Sequence, residues 1–232
     1  MRRSFYALVI LGVGLILAAC DSWAWAFLTR AVHVDAVFPT PLTLDAFDEA
    51  RLQSWFRALA HRSQNRSIAF RQADNGQMVL PPIDSSSAST SLSDHLIHLA
   101  ARSRGIPGIA LAHWRHCLLS LDAESIPVSA ADDEGLTIWV KPWSQLDLPV
   151  MPLGARPNPF FVFHALLIHG GLPSDLLAKI LLLSLEEVRQ ILLRFRNAGL
   201  VQELAGVWQV TPLGYPNVRN WLASEGFLID AL

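Results

Sequence analysis

Apolar positions in this chain follow three regimes. From Phe5 to Ala19 they are continuous. From about Leu44 to Leu121, and again from Asn158 to Leu228, they recur at helical spacing between short alternating runs. The last stretch is the most regular. Asn158-Pro159 supplies an N-cap residue and a first-turn proline, and Phe160, Phe161, Phe163, His164, Leu166, Leu167 and Ile168 follow in a helix apolar nearly all round. Gly170-Gly171 ends it. A short helix runs from about Ser174 to Leu182. A third opens at Ser184, where Glu187 completes a capping box, and sets Leu185, Val188, Ile191, Leu192 and Phe195 on one face before Gly199 stops it. Leu200–Leu204 and Val207–Thr211 read as strands joined by Ala205-Gly206. Tyr215–Glu225 closes the unit with Val218, Trp221 and Leu222 inward.

Upstream, Trp23–Arg30 reads as a helix and Val34–Phe38 as a short strand, broken by Pro39 and Pro41. Thr43 caps a helix to about Arg62, with Leu52, Trp55, Phe56 and Leu59 on one face. Ile68–Arg71 and Gln77–Leu80 flank Asp74-Asn75-Gly76, which predicts a hairpin. Pro81–Ser91 is a serine-rich loop. Asp94–Ser103 forms a helix stopped by Gly105, and Pro107 starts another that runs to about Leu121. Asp122–Glu134 is polar and irregular, and Leu136–Lys141 is a strand. Pro142, Pro149, Pro152, Pro157 and Pro159 stiffen the connection that follows. The expected fold class is mainly α with small β. The expected divisions are 1–22, an apolar segment; 23–141, a helical region with a small hairpin; 142–157, a linker; and 158–232.

Composition changes the picture in one respect. The 232 residues are 52% hydrophobic and only 16% charged, with net charge −2, eight Trp and eleven Phe. That is not the basic balance of a general nucleic-acid binder. It points to heavy burial, a partner or a membrane. Two cysteines, Cys20 and Cys117, define no disulfide framework.

At the N-terminus, Met1-Arg2-Arg3-Ser4 precedes the apolar run, the layout of a secretory signal. Leu17-Ala18-Ala19-Cys20 resembles the lipobox of bacterial lipoproteins. The resemblance implies that Cys20 becomes the lipidated first residue, and Asp21 behind it implies retention in the bacterial inner membrane. Trp23, Trp25 and Phe27 are then either a membrane-interface belt or core. The competing reading makes Gly14–Ala19 a buried parallel strand, since such strands are also continuously apolar.

The order of the C-terminal elements resembles a winged helix, a unit that often places its third helix in the DNA major groove. Here that helix offers Arg189, Gln190, Arg194, Arg196 and Asn197. Glu186 and Glu187 occupy its first turn, where they suit the helix dipole but repel phosphates. Contact with a protein partner and contact with DNA both stay open.

A longer succession is similar to the back half of an AAA+ ATPase of the origin-recognition or STAND branch. Leu15–Ala19 followed by Cys20-Asp21-Ser22 resembles the strand ending in the sensor-1 polar residue, which implies that role for Asp21 and Ser22. Val37–Leu42 and the helix from Leu44 resemble the last core strand and first lid helix. Leu96–Leu111, a helix, the Gly105 turn and a second helix, resembles the lid. The departures carry consequences. No G-x-x-x-x-G-K-[ST] stands in the chain, and Gly12-Val13-Gly14 lacks the lysine a phosphate cradle needs. No acidic pair ends a strand before Cys20, and Gly108 stands where the family's sensor-2 arginine falls. No ATP hydrolysis and no cofactor are expected of this chain.

His95 and His98, and His113 and His116 beside Cys117, sit three apart on successive helices, a spacing that allows metal ligation. Helix-surface histidines are the plainer reading, and no metal site is expected. Asp132-Asp133-Glu134 reads as a solvated turn, and Ser22, Ser120 and the serine loop lack a nucleophile elbow. The expectation is a non-catalytic, membrane-associated interaction or regulatory protein with a protein partner. The alternative is a cytoplasmic C-terminal part of an AAA+/STAND-type regulator whose winged helix binds DNA or a partner. The third is a metal-dependent enzyme built on the four histidines.

Overall fold

The computed structural model describes residues 6–9, 16–63, 68–81, 93–119, 136–152 and 158–230. The fold is mainly helical with a few small sheets, as expected. It divides into two compact units, residues 1–43 with 149–232, and residues 44–148. The expected boundaries at 22, 141 and 157 differ from this division, because residues 23–43 group with the C-terminal helices. The glycines at 12–14, the serine loop, Ser120 and the acidic run 132–134 lie outside the described residues.

The first unit opens with β1 (Tyr6–Val9) and β2 (Ile16–Ala19), paired antiparallel with Tyr6 opposite Ala19. The parallel strand considered for this region is therefore replaced by a hairpin pairing. α1 (Ser22–Val32) follows, its N-cap Asp21 accepting the Trp23 N–H at 3.2 Å. The strand expected over Val34–Phe38 is instead a 3-10 turn, Val34–Ala36. The Val37 and Phe38 N–H groups both donate to the Val34 carbonyl, and Pro39 has no N–H, so few donors remain for a sheet ladder.

In the second unit, α2 (Glu49–Ser63) starts later than Thr43. Asp48 accepts the Arg51 N–H at 2.7 Å and fills the cap role. The Phe47 N–H donates to the Gly105 carbonyl at 2.9 Å, which commits the segment ahead of α2 to another partner. β3 (Ile68–Gln72) and β4 (Met78–Leu80) form the expected hairpin around Gly76, at φ +70°. α3 (Asp94–Ser103) and α4 (Pro107–Cys117) come next, and then β5 (Leu136–Val140) returns parallel to β3 with Ile68 opposite Leu136. The sheet order is β4-β3-β5. α4 ends at Cys117 rather than near Leu121. Leu119 N–H donates to the Trp139 carbonyl and Lys141 N–H to the Cys117 carbonyl, so this chain joins the sheet edge instead of extending the helix. Leu52, Phe56, Phe70, Val79, Leu80, Leu96, Leu99, Trp114 and Val140 form the core.

The C-terminal part of the first unit holds α5 (Asn158–Ile168), α6 (Ser174–Leu181), α7 (Leu185–Asn197), β6 (Val201–Leu204), β7 (Val207–Val210) and α8 (Tyr215–Ser224). Ala205 and Gly206, at φ 51° and 79°, make the two-residue turn between β6 and β7. Leu172, between α5 and α6, pairs with Trp208 through two 2.9 Å backbone bonds and adds a third short edge to this hairpin. Phe163, Leu166, Leu177, Val188, Leu192, Phe195, Leu200, Val218 and Leu222 are its buried core. The connection ahead of α5 is partly tied down, since Asn217 donates its side-chain amide to the Pro149 carbonyl.

α1 belongs to this core through Trp23 and Ala24, both buried. Trp23 donates its ring N–H to the Tyr215 hydroxyl at 3.1 Å and meets His164 and Tyr215 edge-on. Of the aromatic residues read as membrane belt or core, Trp23 is core, whereas Phe27 is 41% exposed. Among the described residues no helix is long and apolar enough to cross a membrane.

Candidate functional site

The outer surface of α6 and α7 concentrates the polar residues singled out by sequence. α7 forms because Ser184 and Glu187 cap it reciprocally: Glu187 N–H donates to the Ser184 hydroxyl at 3.2 Å, and Ser184 N–H donates back to the Glu187 carboxylate at 3.0 Å. The Ser184 hydroxyl also donates to that carboxylate at 2.8 Å, and with the backbone bond it holds Glu187 below the usual carboxylate range. Val188, Leu192 and Phe195 face inward. Arg189, Gln190, Arg194, Arg196 and Asn197 are all exposed. Gln190 donates to Glu186 at 3.1 Å, one turn back, so its amide is engaged along the helix. The acidic first turn and basic last turn both suit the helix dipole.

The same surface is apolar in a way the periodicity did not announce. Leu176, Ile180, Leu185 and Leu193 are exposed, and Leu182 is 91% exposed. Leu182 caps α6 at φ 54°, a left-handed conformation that costs an L-residue about 1–2 kcal/mol. A glycine there would satisfy the same cap without strain.

Cys20 is exposed, between β2 and the N-cap of α1. Partial burial, and then the neighbouring Asp21, raise its thiol pKa. Asp21 and Ser22 have structural roles. Asp21 caps α1, and the Ser22 hydroxyl donates to Asp230 at 3.3 Å.

His95, His98 and His113 all pack about the Trp143 ring, at centroid distances of 5.1, 6.5 and 6.4 Å. His113 is buried with both ring nitrogens engaged, Nδ1 donating to the Ile109 carbonyl at 3.0 Å and Nε2 accepting from Arg102 at 3.3 Å. Burial lowers its pKa, against the pull of the backbone bond. His116 Nε2 donates to the Asp147 carbonyl at 3.0 Å. His98 is exposed. His95 is buried, stacked on Trp143 at 5.1 Å with neither ring nitrogen bonded, and burial, then His98, push it down to about 4. Among the described residues no group of three or more His, Cys, Asp and Glu side chains is placed to hold a metal.

The polar group that sequence reasoning missed lies in the first unit. Asp230 is 1% exposed. It accepts from Arg219 Nε at 2.7 Å, from the Tyr215 hydroxyl at 3.0 Å and from Ser22. Its signal was present in the sequence as a lone carboxylate inside Phe227-Leu228-Ile229-Asp230-Ala231-Leu232.

Comparison with protein-family models, with curated proteins and with solved structures gives no match for this chain.

Proposed function

We propose that this protein is a non-catalytic, membrane-associated interaction or regulatory module, with an ATPase-lid-like region followed by a winged helix that contacts a protein partner. The observation that carries the reading is Leu182, an almost fully exposed leucine held at positive φ. A position that favours glycine but presents a large apolar side chain is best explained by a contact it makes. Leu176 and Ile180, one turn apart on α6, and Leu185 at the start of α7 are exposed as well, and Glu186 and Glu187 in the first turn of α7 disfavour a phosphate backbone there. The element order α5-α6-α7-β6-β7-α8 and the Leu172–Trp208 bridge support the winged-helix assignment. Membrane association rests on the lipobox pattern at Cys20, with an inner-membrane location implied by Asp21.

A second reading is supported by the α3–Gly105–α4 succession, which fits the lid of a longer AAA+ or STAND-type regulator; Pro107 stands in the first turn of α4. In that reading the winged helix contacts DNA or a partner in the cytoplasm. The parallel β3–β5 pairing departs from a purely helical lid.

The test combines two measurements. A photo-crosslinking residue at Leu182 should capture a protein partner in cells, and Leu176→Ser with Ile180→Ser should abolish the crosslink. Salt-dependent binding of duplex DNA by the parent chain, lost when Arg189, Arg194 and Arg196 become Ala, would replace this reading with DNA recognition. Membrane fractionation of Cys20→Ala addresses the anchor, and unchanged membrane association would remove the lipoprotein part of the proposal.

A further inference from the structure

We infer that Asp230 is a latch that holds α1 on α5–α8, so that α1 undocks as a unit when this one carboxylate is lost. The carboxylate joins three segments: Ser22 from the start of α1, Tyr215 and Arg219 from α8, and the stretch after α8 that carries Asp230 itself. Arg219 reinforces the closure with a second bond, from Nη2 to the Asp230 carbonyl at 3.1 Å. The Tyr215 hydroxyl relays it, donating to Asp230 and accepting from Trp23. His164 on α5 donates to the Leu228 carbonyl at 3.0 Å, which fixes the approach of the Asp230 segment.

The asymmetry of the packing says which element leaves. α1 buries only Trp23 and Ala24. α5–α8 keep a core of their own that involves neither residue, with Val162, Phe163, Leu192, Phe195, Val218 and Leu222 each at 1% exposure or less. Removing Asp230 leaves the Arg219 guanidinium, whose side chain is 13% exposed, and the buried Tyr215 hydroxyl short of a partner. Local opening then falls on the least-packed element. Undocking would turn α1 into a tether and uncover the apolar surface around His164 and Tyr215.

Hydrogen exchange on the full chain tests the latch. Asp230→Ala should raise exchange of the α1 amides at least tenfold while the α7 amides keep their protection. Tyr215→Phe keeps the ring and the Arg219–Asp230 pair but cuts the relay to Trp23. It should raise α1 exchange selectively and less. Unchanged α1 exchange in either variant overturns the proposal. If Asp230→Ala loses protection in α1 and α7 together, Tyr215→Phe decides: a selective rise in α1 upholds the latch, and a joint loss identifies Asp230 as a general core stabiliser.

Discussion

Gly105 and Phe47 are joined backbone to backbone, the Gly105 carbonyl accepting the Phe47 N–H at 2.9 Å. The approach is so close that a Cβ at position 105 would lie 2.5 Å from the Phe47 nitrogen and 2.7 Å from its oxygen. Gly105 also sits at φ +67°. Gly105→Ala should therefore lose about 2–4 kcal/mol, from left-handed strain plus the forced shift of a backbone segment. Gly108 is three residues on in α4, with nothing within 4 Å of its added Cβ and no positive φ. Gly108→Ala should gain about 0.5 kcal/mol from helix propensity. Urea midpoints of the two variants, moving in opposite directions, would check both.

What was legible in the sequence was local. The Ser184–Glu187 box, the Asp74-Asn75-Gly76 turn and the α7 stripe each lie within a few residues; the first two form as read, and the stripe buries Val188, Leu192 and Phe195 but leaves Leu185 exposed. Long-range pairing was not legible. β5 joins β3 across more than sixty residues, and nothing in Leu136–Val140 names Ile68–Gln72 as its neighbour. Val34–Phe38 carries the β-branched and aromatic residues of a strand, but 3-10 and turn bonds to the Val34 carbonyl capture its donors. The candidate surface was half legible. Its polar residues followed from helical periodicity, whereas the exposure of Leu176, Ile180 and Leu182 depended on which face the core claims. Asp230 is linked to α1, through Ser22 directly and to Trp23 by way of the Tyr215 hydroxyl, only once α1 is folded against α8.

The α7 cap gives a pH-dependent prediction. Glu187 is held below its ordinary value of 4.5 by the hydrogen bonds from Ser184. A carboxylate depressed in the folded state contributes stability that is present above the unfolded value and lost as pH falls through the folded one. The stability difference between the parent and Glu187→Gln should be constant at neutral pH and shrink below about pH 4.5. Ser184→Ala should cost about 1 kcal/mol at pH 7 by removing the cap acceptor. Thermal unfolding across pH 3–7 would check both, and a difference that persists unchanged at pH 3 would contradict the first.

His95 titrates in the opposite sense to a histidine that gains a partner. Its folded value is about 4 against 6.5, because burial disfavours the imidazolium and no acceptor meets either ring nitrogen. Between those values the unfolded chain binds more protons, so this contribution is complete above pH 6.5 and declines as pH falls toward 4. A displacement from 6.5 to about 4 corresponds to about 3 kcal/mol. His95→Phe keeps an aromatic ring for Trp143 and removes the titration. Relative to the parent it should gain most of that amount between pH 6.5 and 4, read from denaturant midpoints. Parallel pH curves for the two proteins would show that His95 is hydrated or paired in solution.

The two cysteines should separate cleanly by reactivity. Cys117 is fully buried between α4 and the sheet, and burial pushes its thiol up to about 12 against the weaker pull of Lys141. Cys20 is exposed, although partial burial and Asp21 raise it too. The thiolate is the reacting form, so the native unlipidated chain at pH 8 should titrate one thiol with an aromatic disulfide reagent, more slowly than free cysteine does. Cys117 should react only after unfolding. Cys20→Ser should remove the native-state reaction altogether, and a persisting fast thiol would mean that Cys117 is accessible. The same count bears on the anchor. Protein recovered from bacterial membranes should show no fast thiol if Cys20 carries lipid, and one if it does not, while the unfolded count separates a blocked Cys20 from a merely shielded one.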